Sequence, residues 1–375
     1  MNLLSIILPV IVSAALTALM VLFILRLSFK KKLFDKVDER TVHSGVVPRL
    51  GGSAFILSVL VALGMTVLMS DDNDIRCCLT AWSGGLQYWA LIGAALIIYF
   101  SGLWDDIKSV GYKMKFLCQA VSALLVVAVG NFWVNDLCGL FGVWELSPWV
   151  GKPLSVLLVV YIINAFNLID GIDGLASSLG FIATSVMGAL FMMTGQHIMA
   201  VLSLALAVSL AVFFCFNKFG STHSHTKIFM GDGGSQTMGL IIAVLVIFMS
   251  MRKPGEVAYS AVQSPVIPFC LIIIPCFDAV RVMVGRMLRG SNPFLPDKTH
   301  IHHRFMRIGF SATRTLVTIV LLDVLFVAVN IALAVADLGI DGWVKINLIL
   351  ALDLAIWWGV SRKLTTEERL PTLEN

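Results

Sequence analysis

Residues 3–25 read LLSIILPVIVSAALTALMVLFIL, an apolar run without a single charged side chain. At about 1.5 Å per residue, a helix of roughly 20 apolar residues crosses the hydrocarbon core of a bilayer. The run is not typical of a cleavable signal peptide, because its positive charges, Lys30, Lys31 and Lys32, follow it instead of preceding it. It therefore predicts a first transmembrane helix with its N-terminus outside the cell.

The composition extends this interpretation to the whole chain. Of 375 residues, 58% are hydrophobic and only 13% are charged, and the mean hydropathy is +0.91. A soluble domain of this size has about one quarter charged residues, so the deficit of charge indicates a membrane protein. We predict an all-α, polytopic transmembrane helix bundle of about eleven spans, at residues 3–26, 51–69, 87–104, 114–130, 153–169, 176–194, 198–216, 235–251, 265–285, 313–336 and 344–361.

The distribution of positive charge predicts the orientation of the bundle. With the N-terminus outside, only five of the 27 Lys and Arg residues fall on the outer side, namely Arg76, Lys152, Arg252, Lys253 and Lys345. Cytoplasmic loops carry the excess of Lys and Arg, so the C-terminus is expected in the cytoplasm. Residues 1–361 then form a single membrane catalytic domain, and 362–375 form a short cytoplasmic tail. The basic inner face suits membrane lipid and anionic substrates, and nucleic acid is not expected as a partner.

The first cluster of polar residues ends the third predicted span. Ionisable residues are costly inside a membrane protein and mark functional sites there. Asp105 and Asp106 are adjacent carboxylates, of which one can ligate a divalent cation while the other orients a substrate or takes a proton. Lys113 and Lys115 follow, and lysines neutralise phosphate charge. The alternative is a helix cap or a solvated pair of acids.

The second cluster recurs at intervals of three residues. Asn164, Asn167, Asp170 and Asp173 would lie close to one face of a helical stretch. An interhelical hydrogen-bonded network is the structural alternative. The two aspartates weaken that alternative, because each buried charge would need its own partner.

The third cluster places one carboxylate among glycines. Residues 227–235 read KIFMGDGGS, so Asp232 has room around it for a metal and a phosphate. The helix that follows would point its N-terminus at the same place, which favours anions. A glycine-rich turn with an N-capping aspartate is the alternative.

The fourth cluster collects three of the seven histidines of the chain within four residues. His300, His302 and His303 stand beside Arg304. Zinc is disfavoured, because HxHH lacks the usual ligand spacing and no cysteine assists. Hydrogen bonding to a sugar or a diphosphate suits these side chains better.

These clusters, in this order and each at a cytoplasmic helix end, resemble the polyprenyl-phosphate N-acetylhexosamine-1-phosphate transferases of glycosyltransferase family 4. The segment 38–52, which contains His43, also resembles the first cytoplasmic loop of the family, and the resemblance runs from about residue 35 to 310. It implies an Mg²⁺ enzyme, with Mn²⁺ as a substitute, in which a lipid phosphate attacks the β-phosphorus of a UDP-sugar and UMP leaves. It implies catalytic and metal-binding roles for Asp105, Asp106 and Asp232.

The resemblance also implies a set of substrate-binding residues. Lysines would contact phosphate, the asparagine and aspartate series would hold nucleotide or metal, and the histidine segment would contact sugar and diphosphate. The set is His43, Lys113, Lys115, Asn164, Asn167, Asp170, Asp173, His300, His302, His303 and Arg304.

The histidine segment bears on the sugar. His-Ile-His-His is similar to the family branch that uses UDP-GlcNAc or a related HexNAc, whereas the peptidoglycan branch tends to carry three consecutive histidines. The resemblance thus implies transfer of GlcNAc-1-phosphate to undecaprenyl phosphate at the cytoplasmic face of the inner membrane. The product would start a cell-envelope glycan such as the O-antigen of lipopolysaccharide. Another UDP-HexNAc and UDP-MurNAc-pentapeptide stay open as donors, and a homodimer stays open as the oligomeric state.

Two other classes of protein compete with this interpretation. A CDP-alcohol phosphotransferase needs the motif D-G-x-x-A-R, and residues 170–175, DGIDGL, contain no arginine. A secondary transporter places its polar residues near the bilayer midplane and often has inverted repeats. Here the polar clusters lie at the predicted cytoplasmic edge and no repeat is visible.

Overall fold

The computed structural model of the protein describes residues 3–31, 47–69, 82–108, 110–252, 265–290 and 299–369. Within these ranges the chain is almost entirely helical, as predicted. The helices are α1 (Leu4–Lys31), α2 (Ser53–Met69), α3 (Trp82–Lys108), α4 (Tyr112–Leu124), α5 (Pro148–Ile169), α6 (Leu175–Met193), α7 (His197–Phe219), α8 (Gly231–Ser250), α9 (Val266–Cys270), α10 (Ile273–Leu288), α11 (Ile301–Arg307), α12 (Ala312–Val335) and α13 (Gly342–Arg369).

Nine helices in the described part of the chain are long and apolar enough to cross a membrane, which confirms a polytopic helical membrane protein. Two predicted spans differ from the rest. The predicted span 51–69 is the 17-residue helix α2, which is shorter than the other spans. The predicted span 265–285 is divided into α9 and α10 at Leu271 and Ile272. Pro275 explains the break, because it has no N–H to donate to the carbonyl of Leu271 and its ring crowds that carbonyl.

Helix α8 is the centre of the bundle. It packs against α3 and α5, and nearly all of its residues from Gly233 to Ile247 are buried. A helix that is apolar all round belongs in the interior of a bundle, so α8 has no lipid-facing side.

Close glycine contacts set the positions of α3 and of the start of α2 against the start of α8. A Cβ atom added at Gly102 would lie 2.4 Å from the Cα atom of Gly233, and one added at Gly52 would lie 2.0 Å from the Cα atom of Gly234. Both approaches are too close for any side chain larger than hydrogen. The backbones therefore touch, and the acids that follow Gly102 are brought beside the first turn of α8.

The end of the bundle opposite these acids carries a small sheet that the all-α prediction missed. Helix α4 passes through a π-helical turn at Leu125–Val129, and β1 (Asp136–Leu140) then pairs antiparallel with β2 (Val143–Glu145). A 2.7 Å ion pair between Asp136 and Arg252 fastens the hairpin to the end of α8.

The last helix is longer than predicted. Helix α13 continues to Arg369, so the part of the expected tail between 362 and 369 is helical. Residues 370–375 lie outside the described ranges.

Candidate active site

The two adjacent acids of α3 have different partners. Oδ1 of Asp106 accepts the backbone N–H of Asp232 at 2.8 Å, and its Oδ2 accepts that of Gly233 at 3.0 Å. Asp106 thus satisfies two of the backbone donors that the N-terminus of α8 leaves without a partner inside the helix. Its negative charge also lies at the positive end of the helix dipole.

Asp105 instead faces Lys115, on the first turn of α4. The ammonium nitrogen of Lys115 lies 2.6 Å from Oδ2 of Asp105 and also donates to Oδ2 of Asp232. The backbone N–H of Val110 donates to Oδ1 of Asp105 at 2.6 Å, which fixes the carboxylate. Two carboxylates from different helices therefore meet at one positively charged atom.

Lys113, the other predicted phosphate contact, is exposed. It stands two residues before Lys115 on α4, and the described residues include no ion-pair partner for it. The structure therefore joins only one of the two lysines to the acidic cluster, which is formed by Asp105, Asp106 and Asp232.

The asparagines of α5 divide between the acidic cluster and the interior. Asn167 donates to Oδ1 of Asp232 at 3.1 Å and to the hydroxyl of Ser235 at 2.8 Å. Asn164 donates to Gln119 at 2.7 Å, and Gln119 donates to Gln236 at 3.1 Å. Asn164 therefore belongs to an amide network between α4, α5 and α8, which is the structural alternative that the sequence left open.

Helix α5 ends at Ile169, so the predicted helical face does not reach Asp170 and Asp173. Both acids lie in the turn that precedes α6, whose N-terminal Gly174 has a positive φ of 83°. The turn redirects the chain, and the two carboxylates consequently have different environments.

Asp170 lies within the acidic cluster. Burial, with the negative charges of Asp232, Asp173 and Asp106, raises the pKa of Asp170 to about 7. Asp173 is instead paired with Lys227 at 2.7 Å, and Lys227 also donates to the carbonyl of Asn217. This ion pair joins the turn to the segment that leads into Asp232.

The histidine segment meets the turn between α5 and α6 through His302. A Cβ atom added at Gly171 would lie 2.1 Å from Nε2 of His302, so the imidazole lies directly on the turn between α5 and α6. His302 is buried, and neither ring nitrogen has a hydrogen-bond partner among the described residues. Burial, together with the neighbouring His303 and His300, lowers the pKa of His302 to about 3. The ring is therefore neutral and can both donate and accept a hydrogen bond.

The other members of the segment hold it in place. Nδ1 of His300 lies 2.8 Å from Oδ2 of Asp278 on α10, and the N–H of Ile301 donates to Oδ1 at 3.0 Å. The same carboxylate forms an ion pair of 2.6 Å with Arg281, three residues further along α10. The link from Asp278 to His300 was not predicted, because the two residues are 22 positions apart.

Arg304 and His303 complete the placement of α11. Arg304 is buried and donates to the hydroxyl of Thr365 on α13 at 2.7 Å. The ring of His303 lies against that of His302, with 4.2 Å between the ring centroids. Arg304 therefore anchors α11 on its far side, and His303 packs beside the imidazole that lies on the turn between α5 and α6.

The loop before α2 also meets the glycine-rich segment. The N–H groups of Gly51 and Gly52 donate to the carbonyls of Phe229 and Met230, both at 2.9 Å. His43, which was predicted in the same loop, lies outside the described residues.

The arrangement offers carboxylates that a divalent cation could use, without forming a complete cage. Among the described residues no three His, Cys, Asp or Glu side chains are grouped as a metal site. Mg²⁺ commonly takes one or two protein carboxylates and completes its shell with water and substrate phosphates. Asp105 and Asp232 fit that pattern, since their oxygens already converge on a cationic nitrogen.

Known proteins match the chain across this site. The profile of glycosyl transferase family 4 matches residues 88–250, which include the acids of α3, the turn after α5 and the start of α8. The undecaprenyl-phosphate alpha-N-acetylglucosaminyl 1-phosphate transferase of Escherichia coli (strain K12) is 29% identical over 352 residues, covering 93% of this chain and 89% of that protein. The probable undecaprenyl-phosphate N-acetylglucosaminyl 1-phosphate transferase of Bacillus subtilis (strain 168) is 30% identical over 357 residues, covering 94% of this chain and 92% of that protein. This chain therefore belongs to glycosyl transferase family 4.

Proposed function

We propose that this protein transfers GlcNAc-1-phosphate from UDP-GlcNAc to undecaprenyl phosphate, releases UMP, and depends on Mg²⁺. The observation that carries the proposal is the meeting of Asp105 and Asp232 at the ammonium of Lys115. The two relatives named above carry the lipid and the sugar in their names. The product would be a lipid-linked sugar that starts a cell-envelope glycan, such as the O-antigen of lipopolysaccharide.

The reaction is a phosphoryl transfer. An oxygen of the lipid phosphate forms a bond to the β-phosphorus of the donor, and the bond from that phosphorus to the bridging oxygen breaks, so that UMP leaves with the bonding electrons. Such transfers depend mainly on positioning and on neutralising charge. The lipid phosphate has a second pKa near 6 and is already largely dianionic at neutral pH, so no strong protein base is needed.

The residues of the acidic cluster would bind the cation that neutralises the charge of the diphosphate. Asp105 and Asp232 would hold Mg²⁺, or Mn²⁺ in its place, and the cation would neutralise phosphate oxygens. Asn167 keeps the carboxylate of Asp232 in position through its 3.1 Å hydrogen bond. Lys115 can neutralise a phosphate oxygen bound against the same carboxylates.

The buried His302, on the turn between α5 and α6, would bind the sugar nucleotide. His302 is neutral and both its nitrogens are without partners among the described residues. A buried imidazole of this kind gains a hydrogen bond when a sugar hydroxyl or a phosphate oxygen arrives. His303 lies beside it and extends the same surface.

The charge distribution supports a cytoplasmic location of the site. The excess of Lys and Arg in the loops at the end that carries the acidic cluster supports a cytoplasmic site in the inner membrane, where UDP-sugars are made. A polyprenyl chain has no aqueous alternative, so the acceptor must enter from the bilayer.

The test is a donor screen with purified protein, undecaprenyl phosphate and Mg²⁺. UDP-GlcNAc, UDP-GalNAc and UDP-MurNAc-pentapeptide are compared by UMP release and by the mass of the lipid product. We expect turnover with UDP-GlcNAc that stops with EDTA and recovers with Mg²⁺. Asp232→Asn is the matched inactive control, with a loss of about a thousandfold and an unchanged melting temperature. Turnover only with another donor would correct the sugar, and no UMP from any donor with folded protein would refute the proposal.

A further inference from the structure

A second polar feature lies on the far side of α11 from the acidic cluster. A groove of about 660 Å³ opens between α10, α11 and the end of α13. None of its described lining residues is acidic, and five are arginines: Arg281, Arg289, Arg304, Arg307 and Arg362.

Two of these arginines are fixed at the inner part of the groove. Arg281 is held by Asp278 at 2.6 Å and by the carbonyl of Thr299, and Arg304 is held by Thr365. Planar guanidinium groups fixed in this way bind phosphate oxygens through paired N–H donors and lose little freedom on binding.

The other three arginines are exposed at the mouth of the groove. The guanidinium carbon of Arg362 lies 5.1 Å from the centre of the Trp358 ring, which orients it along α13. Five guanidinium groups that converge on one groove favour a ligand with negative charge and several oxygen acceptors.

The surroundings indicate that this ligand belongs to the membrane. Trp358 is 62% exposed, and Met287 and Leu288 on α10 are 54% and 83% exposed beside Arg289. Helix α13 is a candidate membrane span that includes Trp358 and Arg362. Tryptophan and arginine at the end of a span are typical of the headgroup level, where apolar side chains meet acyl chains and arginines meet phosphate.

We propose that this groove binds the phosphate headgroup of an anionic membrane phospholipid. The phosphate lies between Arg281 and Arg304, the exposed arginines surround it, and the acyl chains follow Met287, Leu288 and Trp358. The bound lipid joins α10, α11 and α13. It thereby supports the segment that presents His302 without belonging to the reacting centre.

The experiment measures lipid binding by the full chain without any sugar nucleotide. Native mass spectrometry and the melting temperature in detergent are recorded with phosphatidylglycerol, phosphatidylcholine, undecaprenyl phosphate or inorganic phosphate added separately. We expect wild type to bind phosphatidylglycerol preferentially and to melt at a higher temperature with it. Arg289→Gln with Arg362→Gln should weaken this binding by about tenfold or more, because two of the positive charges that attract the anionic headgroup are removed.

Arg314→Gln is the matched control. Arg314 is also exposed at the same end of the bundle, but it lies over the ring of Phe310 at 3.9 Å and outside the groove. This variant should keep the response to phosphatidylglycerol. If the double variant does not fold, Arg362→Gln alone and the lipid selectivity of wild type decide the question.

Three results would overturn the proposal. Equal binding of phosphatidylglycerol by wild type and the groove variants would show that the arginines do not hold it. A groove variant that loses protection by undecaprenyl phosphate but keeps that by phosphatidylglycerol would assign the groove to the acceptor lipid. Equal protection of wild type by inorganic phosphate would show that the groove binds free phosphate and does not require a membrane lipid. Because no turnover is measured, these results are independent of the proposed transferase activity, which Asp232→Asn tests separately.

Discussion

Lys115 donates a hydrogen bond to Asp232 although 117 positions separate them in the sequence. The same ammonium nitrogen lies 2.6 Å from Asp105, so it occupies the point where two carboxylates converge. A tethered cation of this kind neutralises the acids without a metal, and it must compete with any metal that uses the same oxygens.

Replacing Lys115 by methionine should therefore separate metal binding from activity. Lys115→Met should tighten Mn²⁺ binding by about tenfold, which corresponds to ~1.4 kcal/mol, and should reduce UMP release strongly. Mn²⁺ affinity is measured by electron paramagnetic resonance titration of the purified protein. Lys113→Met is the control, since Lys113 carries the same charge two residues away and is exposed. Equal effects of the two variants on Mn²⁺ affinity would mean that general electrostatics, not competition, is responsible.

Alanine substitutions of the adjacent acids Asp105 and Asp106 should affect stability and activity differently. Asp106→Ala removes the acceptor of two N–H groups at the start of α8 and should destabilise the protein by about 1–2 kcal/mol, as the loss of a helix cap does. Asp105→Ala leaves that cap intact and should lower activity with a smaller change in melting temperature. Thermal unfolding and UMP release are measured for both variants. The same ratio of stability loss to activity loss in both would contradict this division of roles.

Asp170 and Asp173 should affect stability with opposite signs. The pKa of Asp170 is raised to about 7 in the folded protein, so the folded state keeps a proton that the unfolded state loses near pH 4. The stability from this proton is complete below pH 4 and is lost as the pH rises through 7. In EDTA, Asp170→Asn should therefore melt at a higher temperature than wild type at pH 8, with a smaller difference at pH 5, while its activity falls.

Asp173→Asn is the matched variant for this comparison. It breaks the 2.7 Å ion pair with Lys227 and should lower the melting temperature at both pH values. The comparison is made by thermal unfolding from pH 5 to 8. An Asp170→Asn protein that is less stable than wild type at pH 8 would show that burial and the neighbouring acids do not destabilise the charged form of Asp170.

The sequence predicted what depends on local pattern. Apolar runs of membrane length identified the spans, and acids at helix ends identified Asp105, Asp170 and Asp232 before their convergence was known. The break before α10 was also foreseeable, because Pro275 removes a helical hydrogen bond. The strands around Asp136 gave no such signal, since they are short and lie between two apolar runs.

The different roles of neighbouring residues within each motif could not be predicted, because they depend on contacts between distant segments. Asp106 became a cap for α8 only because Gly102 and Gly233 allow two backbones to touch. Asn164 joined an amide network through Gln119, a polar residue within an apolar span that belongs to none of the four polar clusters in the sequence. Asp278 and Arg281 are close enough in sequence to pair within one helix, but only the fold brings His300 to the same carboxylate.

The contact between Gly171 and His302 provides the sharpest test of the histidine segment. A methyl group at position 171 would lie 2.1 Å from Nε2 of His302, and the φ of Gly171 is not in the left-handed region, so alanine fits the backbone. Gly171→Ala should therefore displace the imidazole and reduce kcat/KM by about tenfold or more. Gly93→Ala is the control, because a Cβ atom there meets nothing within 4 Å.

A double-mutant cycle shows whether the effect passes through the imidazole. His302→Ala removes the three atoms nearest to the added methyl group, so in this background Gly171→Ala should cost little beyond His302→Ala itself. kcat/KM is measured for the four proteins of the cycle with UDP-GlcNAc. Additive losses would mean that Gly171→Ala disturbs the turn between α5 and α6 independently of His302. The contact between Gly171 and His302 would then not matter for donor binding.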